Sequence, residues 1–259
     1  MNFEGGVMLC VESQSEKVVE QEVYLVLATT SPPLPVLKMR LLWCVYIEEP
    51  YTRICALRIP NRPLAAVFAT FQLTVSLASL FQHVFSIYKH RHVFLCRSAI
   101  TANASIEEKY MAYDVIIFDF GLMHRVLGTE ECVANYLDGG YMRFGWCIEQ
   151  STALIIAIFH LLCLPKPLWL LWPALLIQSS YSLGLSVLTM ATAPKLLEAL
   201  GGRVDLQLAL MFGTYVFGFF FNWIFTFILW HHYWHLERLC STLPRLERSR
   251  ASKDSAIDV

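Results

Sequence analysis

At 259 residues, 56% hydrophobic and 14% aromatic, with a formal net charge of −1 and a mean hydropathy of +0.49, the chain is too apolar for an ordinary soluble domain and lacks the basic surplus of a nucleic-acid binder. Eight cysteines in so hydrophobic a chain do not make a disulfide framework. Four blocks of 21 to 25 residues, at 64–88, 144–164, 168–190 and 206–230, contain no lysine, arginine or aspartate, and Glu149 is their one formal charge.

Roughly 20 apolar residues cross a hydrocarbon core about 30 Å thick, and every block reaches that length. A soluble helix would show a polar stripe, whereas 206–230 offers, apart from its two tryptophans, only Gln207, Thr214, Tyr215, Asn222 and Thr226 as hydrogen-bonding side chains. Barrel strands alternate apolar and polar over about 10 residues, and these runs are continuous and longer. The expected fold is an all-α integral membrane protein, a bundle of four transmembrane helices with both termini in the cytoplasm.

Residues 1–62 hold nothing long enough to span. The start, MNFEGGVMLCVESQSEK, carries acids and no apolar run of signal-peptide length, so the first span is expected to serve as its own insertion signal. Residues 18–27 and 36–47 suit a strand or a short interfacial helix. No domain is assigned there, and 1–62 is expected to be a poorly structured cytoplasmic region. Within it Tyr51, Thr52, Arg53 and Ile54 fit the YxxΦ pattern that clathrin adaptors read as an extended segment, with pockets for Tyr51 and Ile54. Tyr24 to Leu27 matches too, and Pro32-Pro33-Leu34-Pro35 suits a WW or SH3 groove.

The first span leads into a long loop, 89–143, expected to be luminal. Asn103-Ala104-Ser105 is a glycosylation sequon there. Cys96 and Cys132 are its two cysteines, able to pair if the compartment is oxidising and then worth about 3–4 kcal/mol on the chain-entropy model. The stretch YDVIIFDFGLM at 113–123 is too short and too acidic to span and is expected on the membrane surface. Pro165-Lys166-Pro167 then forces the second and third spans into an antiparallel hairpin, and 191–205 forms the last loop, turning at Gly201-Gly202.

The tail, 236–259, is basic through Arg238, Arg245, Arg248, Arg250 and Lys253. With Arg53, Arg58 and Arg62 before the first span it argues for cytoplasmic ends, while Lys89, Arg91 and Arg97 after that span argue against. Cys240 is a candidate for acylation, and Ile257 and Val259 give the C-terminus the look of a hydrophobic PDZ ligand.

Candidate chemistry is sparse. His231, His232 and His235 form HHYWH, with His231 and His235 on one helical face in a geometry that could hold a metal. Membrane di-iron enzymes need several such boxes on one side, and here His83 and His160 lie inside spans while His90, His92 and His124 fall on the other side. An interfacial belt with Trp230, Tyr233 and Trp234 is the better reading. GxSxG, phosphate-loop, HExxH and CxxC motifs are missing, so no enzyme, catalytic residue, cofactor or metal is expected. Polar residues inside the spans are Gln72, Gln82 and His83, then Glu149, Gln150 and His160, then Gln178, and finally Asn222. They would line a path in a transporter; helix packing is preferred. Thr214 with Gly218, Ser180 with Gly184, and Ser182 with Ser186 are small residues at four-residue spacing that favour close helix approach and self-association into a homo-oligomer.

CALRIPNRPLAAVFATFQLTVSLASL entering the first span, the long polar loop, and KPLWLLWPALLIQSSYSLGLSVL after the proline hairpin resemble the lysosomal-associated transmembrane protein family and its nematode relatives over residues 50–235. The resemblance implies a multi-pass protein of endosomal or lysosomal membranes that sorts or stabilises other membrane proteins and has no catalytic site. Its partners would be the lipid bilayer, other membrane proteins, and clathrin adaptors through Tyr51. One departure is that no tyrosine follows His235, so the tail lacks the PPxY-type motif through which relatives recruit ubiquitin ligases. The alternatives are a small transporter or channel subunit, and a MARVEL or claudin-type junction or vesicle protein, which would suit the plasma membrane but lacks a luminal WxxGLW-like signature.

Overall fold

The computed structural model describes residues 39–42, 45–48, 50–54, 57–94, 104–128, 140–163, 167–202 and 204–257, with backbone alone for 39–42 and beyond Ser241. Asn103, Cys96, Cys132, Pro32 to Pro35, Tyr24 to Leu27 and Val259 lie outside the described residues. The elements are strands β1 (Met39–Leu42), β2 (Val45–Ile47), β3 (Tyr51–Ile54) and β4 (Leu57–Pro60), then helices α1 (Asn61–His90), α2 (Ile106–Ala112), α3 (Leu122–Leu127) and α4 (Tyr141–Leu162). A 3₁₀ turn (Leu168–Leu171) opens α5 (Trp172–Gly201), and α6 (Leu206–Ile257) is the last helix.

The strands correct two expectations. The fold is mostly helical but not wholly so, and the end of the region expected to be poorly structured forms an antiparallel meander in the order β1-β2-β3-β4, with β1 and β2 inside the stretch 36–47 that suited a strand or a short helix. Each strand has only three or four residues, too few for alternation to stand out. The sheet is held from outside itself. Val45 and Ile47 bury in the same core cluster as Phe225, Ile228 and Leu229. Asn61, at the first turn of α1, accepts from the Thr52 hydroxyl at 2.6 Å and donates to the Glu48 carbonyl at 2.7 Å.

Four segments are long and apolar enough to cross a membrane: Asn61–His90, Tyr141–Leu162, Leu168–Gly201 and Leu206–Ser241. Each overlaps one expected span, and the four are compatible with a multi-pass membrane protein. The burial of α1 is the reverse of a soluble helix's. On α1 the inward face is Ala65, Ala69, Gln72, Ser76, Ser79, His83 and Ser86, while Val67, Phe71, Leu77, Phe81 and Val84 point outward and are exposed. Small and polar groups let helix backbones approach, and large apolar groups outside suit a lipid solvent.

Two boundaries differ from expectation. Residues 191–201 continue α5 through Pro194, since a proline within a helix removes only one backbone hydrogen bond. The tail continues α6 to Ile257, because a helix need not stop where apolarity does. The bundle has two distinct ends: a loop end, which carries the α1–α4 and α5–α6 connections, and a sheet end, which carries the strands.

Candidate functional site

Residues 104–128 do not lie on a surface as the sequence suggested for 113–123. They fold back into the loop end of the bundle. Ser105 starts α2 with a capping box, its hydroxyl accepting from the Glu108 amide while the Glu108 carboxylate accepts from the Ser105 amide. The chain then turns inward. Gln82 of α1 donates to the carbonyls of Tyr110, at 2.5 Å, and of Tyr113, and the Tyr110 hydroxyl donates to the Ala78 carbonyl. Deeper in, Tyr181 of α5 donates to the Ile116 carbonyl, and Phe118 packs on Gly218 of α6. Gly218 stands 12 residues after Leu206, about 18 Å along the helix at 1.5 Å per residue.

This tuck carries two buried acids. Asp114 pairs with Arg143 near the start of α4, and Arg143 also lies 5.2 Å from the Phe94 ring centroid. Asp119 Oδ1 accepts from the Met123 amide at 2.5 Å, which helps start α3. Beside them the His83 ring meets Phe94 and Phe144 and its Nδ1 sits 3.0 Å from the Val93 carbonyl oxygen. At the rim Arg125 and Asp205 form an ion pair at 2.8 Å. Three of these residues, Asp114, Asp119 and Arg143, were not singled out from sequence. The available signal was a pair of aspartates in an otherwise apolar stretch, with an arginine opening the next helix.

Burial is the first cause of the shift at Asp119, and the Asp114 charge adds to it, against the amide hydrogen bonds of Met123 and Gly121; together they push this carboxyl up to about 7. An unfolded aspartate titrates near about 3.9. Between the two values the folded chain binds more protons than the unfolded one, so stability falls as pH rises through that window and levels off above it. The thermal midpoint of the detergent-solubilised chain is therefore expected to drop between about pH 4.5 and 7.5. Asp119→Asn, which keeps an acceptor for Met123, should flatten that profile; an unchanged slope would show that the carboxyl is wet.

Further in, polar side chains join the helices in pairs. Ser76 of α1 meets Ser151 of α4 at 2.8 Å. Between α5 and α6, Gln178 donates to Asn222 at 3.0 Å, Ser182 meets Thr226 at 2.7 Å, and Trp223 donates to Ser186 at 2.9 Å. Ser182 and Ser186 thus face a helix as their spacing suggested. Gly218 instead admits Phe118, and a side chain at Gly184 would meet nothing within 4 Å. Gly184 borders a cleft of about 300 Å³ between the tuck, Trp146 and α5.

The sequence profile of a family of unknown function, DUF8774, matches residues 44–241. The chain belongs to this family. No curated protein and no solved structure matches it. The DUF8774 match begins beside β2 and takes in α1, α4, α5, the tuck and α6 as far as Ser241, and it brings no activity, ligand or partner with it.

Within this DUF8774 region the residues singled out from sequence fall in separate places. His83 belongs to the loop end. His160 is buried near the sheet end, where His232 has His235, His160 and Arg62 around it. Among the described residues no group of three or more histidine, cysteine or acidic side chains could hold a metal ion. Trp172, Trp230, Tyr233 and Trp234 cluster at that end through edge and tilted ring contacts. Gln72, Gln178 and Asn222 lie in the interior, and Glu149 is exposed on the outer face of α4. None of Gln72, His83, His160 and Gln178 lines the cleft. Cys240 is a half-buried free thiol. Ile257 is the last helical residue of α6.

Tyr51 and Ile54 bound β3, which pairs with β2 on one side and β4 on the other. Thr52, between them, is fully buried. An adaptor would need this backbone free for strand-like docking, and here the sheet already uses it. Tyr51→Ala is accordingly expected to leave the steady-state surface level of a tagged chain unchanged. Movement to the cell surface would show that the sheet opens in the cell.

Proposed function

We propose that the chain is a non-enzymatic multi-pass membrane protein of endosomal or lysosomal membranes that sorts or stabilises other membrane proteins through helix contacts. The observation that carries this reading is Glu149. It lies on the exposed face of α4 with Ile148, Thr152, Ile155 and Phe159, and among the described residues it has no ion-pair partner. A carboxyl group among lipid-facing side chains is expensive unless another helix meets it with a donor or a cation. The interior supports the same view, since most polar groups there are used between this chain's own helices. The compartment follows from the resemblance to lysosomal-associated transmembrane proteins.

A tagged full-length chain should overlap a lysosomal marker and run on native gels as a complex larger than itself that Glu149→Leu dissolves. A lone particle that stays at the cell surface would count against both parts. The transporter or channel alternative is favoured by one observation, the unmatched amide groups of Gln72, Gln150 and Gln178.

A further inference from the structure

Those amides can be assigned with little freedom. Gln150 Oε1 accepts from Trp146 Nε1 at 3.1 Å; an indole only donates, so the amide is fixed and its Nε2 is left with no acceptor. Asn222 Nδ2 donates to the Gly218 carbonyl at 2.8 Å, which turns its Oδ1 toward Gln178 Nε2. Gln178 Oε1 is then without a donor. Gln72 is fully buried with both Oε1 and Nε2 unmatched. Turning Gln150 or Gln178 over would set like groups against each other, so the surplus belongs to the residue set and not to one choice of orientation.

Each of the three is linked to Tyr181. The Gln72 side chain approaches the Tyr181 hydroxyl without a hydrogen bond of ordinary geometry; that hydroxyl donates to the Ile116 carbonyl and so offers nothing to Gln72 Oε1. Trp146, bonded to Gln150, stacks on the Tyr181 ring at 6.3 Å between centroids. Gln178 precedes Tyr181 by three residues, on the same inward face of α5. Two donors and two acceptors are therefore left over at the centre of the bundle, in a group of side chains without formal charge. Buried polar groups in native interiors are matched with few exceptions, and an exception points to a bound molecule.

We propose that Gln72, Gln150 and Gln178, gathered about Tyr181, bind a small uncharged molecule that presents both a hydrogen-bond donor and an acceptor, either water or an amide-bearing solute. An apolar ligand would leave all four groups unmatched. A cation would face two amide nitrogens, and an anion two carbonyl oxygens, with no buried counter-charge among these side chains. Trp146 and Tyr181 also wall the cleft beside the tuck, so this ring pair stands between the site and the outside. The proposal does not rest on the sorting reading.

The test is the sign of a substitution in the full-length chain in nanodiscs, with acetamide as the solute probe. Methionine matches glutamine in length and flexibility. If the site is occupied, Gln72→Met strips hydrogen bonds from the occupant and lowers the thermal midpoint by about 2–4 °C. Gln150→Met also strips Trp146 Nε1 of its acceptor and loses stability in either case; with the site occupied the double variant loses less than the sum because both amides hold one molecule. If the site is empty, Gln72→Met removes two unmatched polar atoms and the midpoint holds or rises, which overturns the proposal. Losses that simply add indicate two independent packing faults and overturn it as well. Given non-additive losses, a saturable rise of the wild-type midpoint with acetamide, missing in the double variant, identifies a solute site; no response to acetamide identifies water.

Discussion

Arg143→Met is expected to lower the stability of the full-length chain by about 3–5 kcal/mol, the usual result of removing one partner from a buried ion pair. Asp114→Asn in the same chain should return most of that loss. Both partners are enclosed, with side-chain exposures of 19% for Arg143 and 7% for Asp114, so water cannot replace the missing charge. Burial pushes the Asp114 carboxyl up, and Arg143 is the chief influence pulling it back. Without the arginine only His83 and the Ile117 amide oppose the desolvation, and the folded chain holds the Asp114 proton to higher pH. The deficit of Arg143→Met is therefore smaller at about pH 4.5, where a proton does the neutralising, and larger at about pH 7.5. Thermal unfolding in detergent at the two pH values reads both effects. A loss that stays under about 1 kcal/mol, the range of exposed pairs, would show that the pair is solvated and does not pin the tuck.

The four long helices were legible because a bilayer imposes one simple demand, about 20 apolar residues in a row, and a composition window detects it. Their ends were less legible. The criterion marked where apolarity stopped, while α5 runs on through Lys195 and Glu198, which pair at 3.0 Å on its exposed surface. The sheet was legible only in part, since 36–47 suited a strand or a short helix and nothing marked β3 or β4. Strands of three and four residues carry almost no periodic signal, and what stabilises them is a distant core and the Asn61 side chain. The tuck shows the same limit more sharply. Its sequence states that it cannot span, but where it goes is decided by Arg143, Tyr181 and Gly218, each on a different helix.

The polar residues divide along the same line. Serine and threonine positions such as Ser182 and Ser186 were readable as packing devices because small residues at four-residue spacing have one common use. Glutamines have several. Gln82 holds the tuck by two carbonyls, Gln178 joins α5 to α6, and Gln72 does neither. Only the arrangement of neighbours separates these roles, since in sequence all three are single amides in apolar runs.

Gly218→Ala is the second substitution expected to have a large effect, because the glycine is where α6 admits the tuck. A Cβ there would lie 2.3 Å from Phe118 Cγ, 2.4 Å from Cδ2 and 2.7 Å from Cβ, distances that no rotamer change of Phe118 fully relieves. The backbone has little freedom to retreat. Phe118 and Phe120 already sit at φ values of 57° and 46°, a region costly for side-chain-bearing residues, and the flanking Asp114 and Asp119 are anchored. Overpacking of this kind costs typically about 1–3 kcal/mol, and if the tuck leaves, the Asp114–Arg143 pair goes with it. The expected signature is a lowered thermal midpoint together with trypsin cleavage at Lys109 or Arg125, which lie in the tuck and its flanks. Phe118→Gly separates steric exclusion from any intrinsic need for glycine in α6: it removes the Cβ and the ring and suits the positive φ. In that background Gly218→Ala should be close to neutral, or stabilising as alanine favours the helix. Were Gly218→Ala to cost as much in the Phe118→Gly background as in the wild-type chain, the glycine of α6 would be serving something other than the tuck.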